Sequence, residues 1–242
     1  MTLAVVLAGG LGRRLRHLHP DVPKPLIEVA GRPFLAWVLD HLAREGVSRT
    51  VISAGHLGEA IERWLSSRPS FDLAVSCARE PEPLGTAGGF AYALRSGDAA
   101  QEEPVVVVNG DSLVLGGLRE ALARCREPGT AAAIVGLEVD DAARFGSLEV
   151  DEDERLVAFR ERRPGRGLVN AGVYVLAPAT AAAISDREPG SFERDVFPGL
   201  LAAGETIRVV RTTAPFIDIG VPESLARAEA FLTRYVLEDE GP

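Results

Sequence analysis

The sequence predicts an α/β fold: a doubly wound, mostly parallel sheet with helices on both faces and a small β insertion in its second half. Three observations predict it. Strand-like and helix-like stretches alternate through the first 140 residues, the pattern of repeated βαβ units. PVVVVNGD (104–111) is a continuous β-branched run, as expected for a central parallel strand buried on both faces. The first apolar run, Leu3 to Leu7, empties straight into a glycine-dense turn, Ala8-Gly9-Gly10-Leu11-Gly12.

Taken in order, VVL (5–7) reads as a buried strand. FLAWVLDHLAREG (34–46) has helical apolar spacing and ends at Gly46, a C-cap residue. RTVISA (49–54) is a strand, LGEAIERWLSS (57–67) an amphipathic helix, FDLAVSCA (71–78) a strand and TAGGFAYALRSG (86–97) a helix. After the valine strand, LREALARC (118–125) reads as a helix and TAAAIVGLEV (130–139) as a strand. The second half changes character. GSLEVDEDERLVAFRER (146–162) alternates on either side of an acidic turn, the pattern of a hairpin. LVNAGVYVLAP (168–178) and TIRVVRT (206–212) are strands, SFERDVFPGLLAAG (191–204) is helical but interrupted by Pro198, and PESLARAEAFLTRYVLE (222–238) is a closing helix. No internal repeat or low-complexity linker divides the chain. A single domain over 1–242 is expected, its two halves meeting near residue 140.

Composition narrows the function. Of 242 residues, 46% are hydrophobic, enough for a sizeable core, and the net charge of −9 disfavours nucleic acid or an anionic membrane as a general partner. Any anionic substrate must therefore be held by a local cluster of cations. Two cysteines, Cys77 and Cys125, form no CxxC pair, so a reducing compartment is the simplest reading. The N-terminal residues show no leader pattern, and a cytoplasmic protein is expected. The four histidines, His17, His19, His41 and His56, have no spacing that points to a triad or zinc site.

The glycine turn carries the chemistry. Glycines without Cβ let backbone N–H groups close around a phosphate, and fixed cations neutralise its charge. Arg13 and Arg14 follow at once, and Lys24 lies between Pro23 and Pro25, whose rings stiffen the backbone and suppress helix. The turn is neither a dinucleotide fingerprint, since the third glycine position is Leu15, nor a Walker loop, since no Gly-Lys-Ser/Thr follows. Asp111 sits just past the buried strand, where open α/β sheets bind their ligands and where a carboxylate can reach a hard cation such as Mg2+. Asp218, flanked by isoleucines, needs a partner for its charge. By itself each aspartate also fits a turn-capping role.

LAGGLGxRL followed by PKPLIEVAGRPFL resembles the sugar-1-phosphate nucleotidyltransferases, enzymes that join a sugar 1-phosphate to a nucleoside triphosphate and release pyrophosphate. Further segments resemble the family in the same order, from about residue 3 to 236: EPEPLGTAGG (80–89), VVNGDSL (107–113), FGSLEV (145–150), FRERRP (159–164), NAGVYVL (170–176) and FIDIGVPESL (216–225). The resemblance implies a Rossmann-like, GT-A-like nucleotidyltransferase sheet and Mg2+ held by Asp111 and Asp218. It implies nucleotide contacts from Leu7, Ala8, Gly9, Gly10, Gly12, Arg13, Arg14, Lys24, Glu80, Gly85, Thr86 and Asp111, of which Arg14, Lys24 and Asp111 are catalytic. Gly110, Gly146, Glu161, Arg162, Asn170 and Gly172 would hold the sugar phosphate. Arg13 replaces the family's usual threonine, and Arg162 a common lysine. The DIGVPE form, with SFE (191–193) upstream, is similar to the D-glycero-D-manno-heptose 1-phosphate guanylyltransferases. A carboxylate near the base loop, from Glu80 or else Glu82, would accept the paired N–H groups of guanine and favour GTP.

The expected partners are thus GTP and a sugar 1-phosphate, with neither nucleic acid nor membrane, and a homo-oligomer is compatible with the chain. Other sugar-nucleotide pyrophosphorylases, among them mannose-1-phosphate guanylyltransferase and the uridylyl, thymidylyl and adenylyl transferases, stay open. So does a non-catalytic sugar-nucleotide sensor. A glycosyltransferase would carry an Asp-x-Asp motif where this chain has Asn109-Gly110-Asp111.

Overall fold

A computed structural model describes residues 2–10, 12, 14–15, 17–67, 71–97, 102–143, 146–160, 164–185 and 190–238. β1 (Thr2–Leu7) lies in the middle of a nine-stranded sheet, parallel to β4 (Val47–Ala54) on one side and to β6 (Val105–Asn109) on the other. β5 (Ala74–Arg79) extends the parallel part beyond β4. Leu7 is in register with both Ser53 and Asn109, so three strands end level. The chain winds from β1 to one side and returns to the other, which opens a crevice at their carboxyl ends. The glycine turn, Glu80 and Asp111 all emerge there.

The second half adds antiparallel pairing. β11 (Gly167–Leu176) runs antiparallel to β6 and to β8 (Thr130–Val139), while β12 (Thr206–Thr212) lies parallel to β8. The expected hairpin is β9 (Ser147–Val150) and β10 (Leu156–Arg160), joined to β11 through Ser147 and Val169. Two short ribbons complete the strands. β2 (Glu28–Val29) and β3 (Arg32–Pro33) close around Ala30 and Gly31, both at positive φ as a tight hairpin turn requires. β7 (Ser112–Val114) pairs with β13 (Phe216–Asp218), placing Asp218 opposite Ser112.

Alternation along β1 splits the core between two faces. Ala4 and Val6 point toward α1 (Phe34–Arg44), α4 (Leu118–Cys125) and α7 (Pro222–Leu232); Leu3 and Val5 point toward α3 (Gly85–Ser96), α5 (Pro178–Ser185) and α6 (Phe197–Ala202). α2 (Gly58–Ser67) packs on β5 at the edge. Phe90, Phe192, Phe197 and Tyr174 are fully buried together on the second face, with neighbouring ring centroids 5.0–5.6 Å apart. Each such side chain contributes about 2–3 kcal/mol of burial. No helix among the described residues is long and apolar enough to cross a membrane.

Two expectations need adjusting. Lys24–Leu26 forms a short 3-10 turn, because proline needs no N–H at the start of a helical turn; Leu26 N–H donates to Pro23 O and Ile27 N–H to Lys24 O. Pro198 likewise sits in the first turn of α6, after a wide π-type turn over Phe192–Val196, so it begins a helix instead of interrupting one.

Candidate active site

The crevice holds a cavity of about 390 Å3, within the size range of small-molecule sites. Leu7, Gly9 and Gly10 form one wall, Glu80, Pro83, Gly85 and Thr86 the other, and Asn109 and Asp111 close one end. The glycine turn is anchored from both sides: Ala8 N–H donates to Ser53 O at 2.8 Å, and Leu15, only 2% exposed, donates to Gly12 O at 2.9 Å. Gly12 is in the left-handed region at φ 56°, which glycine alone adopts freely. Arg14 is exposed at the rim, and Arg13 lies outside the described residues.

Glu80 is held rigidly under the glycine turn. A Cβ on Gly9 would fall 2.5 Å from its Oε1, and one on Gly89 2.8 Å from the same atom. Ser53 Oγ donates to Oε1 at 2.7 Å and Leu84 N–H to Oε2 at 3.2 Å. A carboxylate offers about four lone-pair positions, so two bonds orient Glu80 and leave acceptors for a ligand. Glu82 is exposed and lines none of this cavity. Gly85 and Thr86 fasten the loop to the second half of the chain. Gly85, at φ 76°, leaves no room for a Cβ beside Gly190 O (2.4 Å), and Thr86 Oγ1 accepts from Phe192 N–H at 2.9 Å.

Asp111 and Asp218, 107 positions apart in the sequence, converge. The β7–β13 ribbon brings them together, with Ile219 N–H donating to Asp111 O at 3.0 Å. The Lys24 ammonium sits between them, hydrogen-bonded to Asp111 Oδ2 and 3.9 Å from Asp218 Oδ1. Burial and the neighbouring Asp111 charge push the Asp218 carboxyl above the usual range, against Lys24, the Gly220 N–H and Arg14. Gly220 N–H donates to Asp218 Oδ1, and a Cβ on Gly220 would strike that same oxygen. Gly110 is buried, its N–H bonded to Leu7 O at 2.9 Å, so its visible role is packing under β1.

Beside Asn109, Asn170 Oδ1 accepts from Gly172 N–H at 2.9 Å and Asn170 Nδ2 donates to Tyr174 Oη at 2.7 Å. That buried hydroxyl donates in turn to Glu193 Oε1 at 3.0 Å, while Ser191 Oγ donates to Glu193 Oε2 at 2.7 Å. Burial, then the Glu193 charge, push the Tyr174 phenol well up, so it stays a donor. Gly172 forms a bulge at φ 74°, where a Cβ would fall 2.3 Å from Asn109 Nδ2. Gly146 is exposed, its carbonyl accepting from Asn170 N–H. Glu161 and Arg162 lie outside the described residues. Sequence reading missed Ser53, Tyr174, Glu193 and Gly220; only the SFE segment and the glycine of Asp-Ile-Gly gave any signal for the last two.

Among the described residues no three His, Cys, Asp or Glu side chains cluster as a self-sufficient metal site. The Asp111–Asp218 pair nonetheless suits Mg2+, which binds through one or two carboxylates and completes its shell with waters and substrate phosphates.

Comparison with known proteins covers nearly the whole chain. The nucleotidyl transferase family model matches residues 3–235, and the chain belongs to that family. It is 31% identical to a D-glycero-alpha-D-manno-heptose 1-phosphate guanylyltransferase of Aneurinibacillus thermoaerophilus, over 96% of this chain and 99% of that one. It is 33% identical to a mannose-1-phosphate guanylyltransferase of Mycobacterium tuberculosis, over 96% of this chain but only 64% of that protein. The crystal structure of HddC from Yersinia pseudotuberculosis superposes with a TM-score of 0.83 at 32% identity, covering 95% of this chain and 99% of that one. The same protein complexed with GMP-PN gives the same figures.

Proposed function

We propose, from membership of the nucleotidyl transferase family, that this protein transfers the guanylyl group of GTP to D-glycero-D-manno-heptose 1-phosphate. The observation that carries the reaction is the convergence of Asp111, Asp218 and Lys24 at the end of a nucleotide-sized cavity. The choice of base and sugar is supported by the heptose 1-phosphate guanylyltransferase that matches at nearly full length and by the oriented Glu80 carboxylate, able to accept the N1–H and 2-amino protons of guanine.

No protein nucleophile is needed. An oxygen of the sugar phosphate attacks the α-phosphorus, the bond from that phosphorus to the bridging oxygen breaks, and pyrophosphate leaves. Catalysis is then in-line positioning and charge neutralisation. Mg2+ held by Asp111 and Asp218 would supply charge neutralisation at the phosphates. The glycine turn N–H groups and Arg14, with Arg13 beside it, bind the triphosphate. Lys24 offsets charge growing at the α-phosphate, and Arg162 and Glu161 meet the phosphate and hydroxyls of the sugar. Tyr174 and Glu193 hold Asn170 in position on the sugar wall. In this reading residues 1–140 supply the nucleotide half and 141–242 the sugar half.

The second reading takes mannose 1-phosphate as acceptor, favoured by the M. tuberculosis relative. A matrix of nucleoside triphosphates against sugar 1-phosphates, scored for pyrophosphate, decides. GTP with the heptose phosphate should turn over fastest, and Glu80→Gln should narrow the preference for GTP over UTP. Fastest turnover with another sugar overturns the acceptor, an unchanged base preference in the variant removes Glu80 as base reader, and no pyrophosphate from any pair overturns the reaction.

A further inference from the structure

A second, much smaller cavity also borders the glycine turn, and the reaction chemistry above assigns its two histidines nothing. Its volume is about 20 Å3, room for about one oxygen-sized group. Gly10, Gly12 and Lys24 line it from the cradle, and His19 and His56 line it from two separate loops. Both imidazoles are half-buried.

Backbone contacts locate both histidines. His19 N–H donates to the carbonyl of Leu15, itself buried, at 3.0 Å. His56 sits in the turn between β4 and α2, which touches the glycine turn through its backbone: a Cβ on Gly55 would fall 2.8 Å from Gly9 O and 2.9 Å from Gly9 Cα. The next residue, Leu57, is in the left-handed region at φ 59°, a conformation leucine adopts only where its surroundings impose it. His56 is therefore presented to the phosphate cradle by a turn with little freedom.

Charge supplies the reason for more donors there. The single ammonium of Lys24 is already shared between two carboxylates, and the reaction brings a triphosphate together with a phosphate monoester. We infer that His19 and His56 donate N–H hydrogen bonds to the departing pyrophosphate. This rests on the guanylyltransferase reading and extends it to the leaving group. Among the described residues, their cavity is lined by the glycine turn and Lys24 and by none of the residues assigned to the sugar phosphate, so the two imidazoles meet the pyrophosphate and leave the sugar phosphate alone.

The test is product inhibition. His56→Ala and His19→Ala each raise the Ki of pyrophosphate in the forward reaction about tenfold, equivalent to about 1.4 kcal/mol. The KM of the sugar 1-phosphate stays within about twofold. His56→Asn, which keeps an N–H donor, recovers part of the loss. An unchanged Ki in both single variants overturns the inference, and so does an equal rise in the sugar-phosphate KM, which would mark general damage to the site. Thermal melts of each single variant confirm that the protein compared is folded. Wild-type protein that releases no pyrophosphate from any substrate pair defeats the guanylyltransferase reading and this inference with it. Release by the wild type, with histidine variants indistinguishable from it, defeats the inference alone.

Discussion

Gly220→Ala adds one methyl group at the most sensitive point of the site. Its Cβ would lie 2.4 Å from Asp218 Oδ1 and 3.0 Å from Lys24 Nζ, where ordinary contact begins at 3.4 Å. The Asp218 carboxylate must therefore retreat by about 1 Å, and misplacement of that size costs about 100-fold in rate, or about 2.7 kcal/mol in the barrier. Stability should scarcely change. Gly220 is not among the left-handed glycines, the displaced atoms end flexible side chains, and Gly→Ala at a compatible position gains about 0.4–1 kcal/mol from the unfolded state. The assay is steady-state pyrophosphate release beside a thermal melt. A folded variant with kcat within about threefold of wild type would refute the positioning of Asp218, since a 100-fold effect could not be missed.

Tyr174→Phe keeps the ring among Phe90, Phe192 and Phe197 but removes the hydroxyl between Asn170 and Glu193. It should cost about 1–3 kcal/mol in urea unfolding and raise the KM of the sugar 1-phosphate more than that of GTP; equal effects on both would reduce the network to scaffolding. His41 is held below the ordinary value of 6.5, first by burial and then by Arg44 and Arg119, against Glu45 and the Val114 carbonyl. The unfolded chain thus takes up this proton first on acidification. The stability that His41 contributes is full above pH 6.5 and drains away as the pH falls below it toward the folded value. His41→Leu should flatten that part of a stability–pH curve, and an unaltered slope would reject the assignment.

What the sequence reveals depends on range. The valine run of β6 and the apolar spacing of α1 are local patterns, and each lies where its pattern predicts. The β7–β13 ribbon is a pair of three-residue strands about a hundred positions apart, with no periodicity to announce it, yet it is what brings Asp218 to Asp111. Family resemblance pointed to the pair, whereas residue patterns alone left each open between a cation ligand and a turn cap. Ser53 reads as one more buried strand position, and only the folded chain brings its hydroxyl to Glu80 across 27 residues. Tyr174 reads as core, and it is core except for its hydroxyl, whose acceptor, Glu193, lies 19 residues onward. Gly172, named from resemblance as a sugar contact, has a physical reason visible only in three dimensions: the bulge leaves no space beside Asn109.

Asp218→Asn preserves the shape of that side chain and removes its charge, in a residue whose backbone pairs with Ser112 and whose neighbour holds the Asp111 carbonyl. Pyrophosphate release from GTP and sugar 1-phosphate with Mg2+, measured for this variant and for Asp111→Asn beside wild type, weighs both carboxylates in one experiment. Both variants should melt like wild type and lose at least about 100-fold in kcat. If either one, folded, turns over at the wild-type rate, the two carboxylates do not act together on the nucleotide and the site described here is not the seat of the reaction.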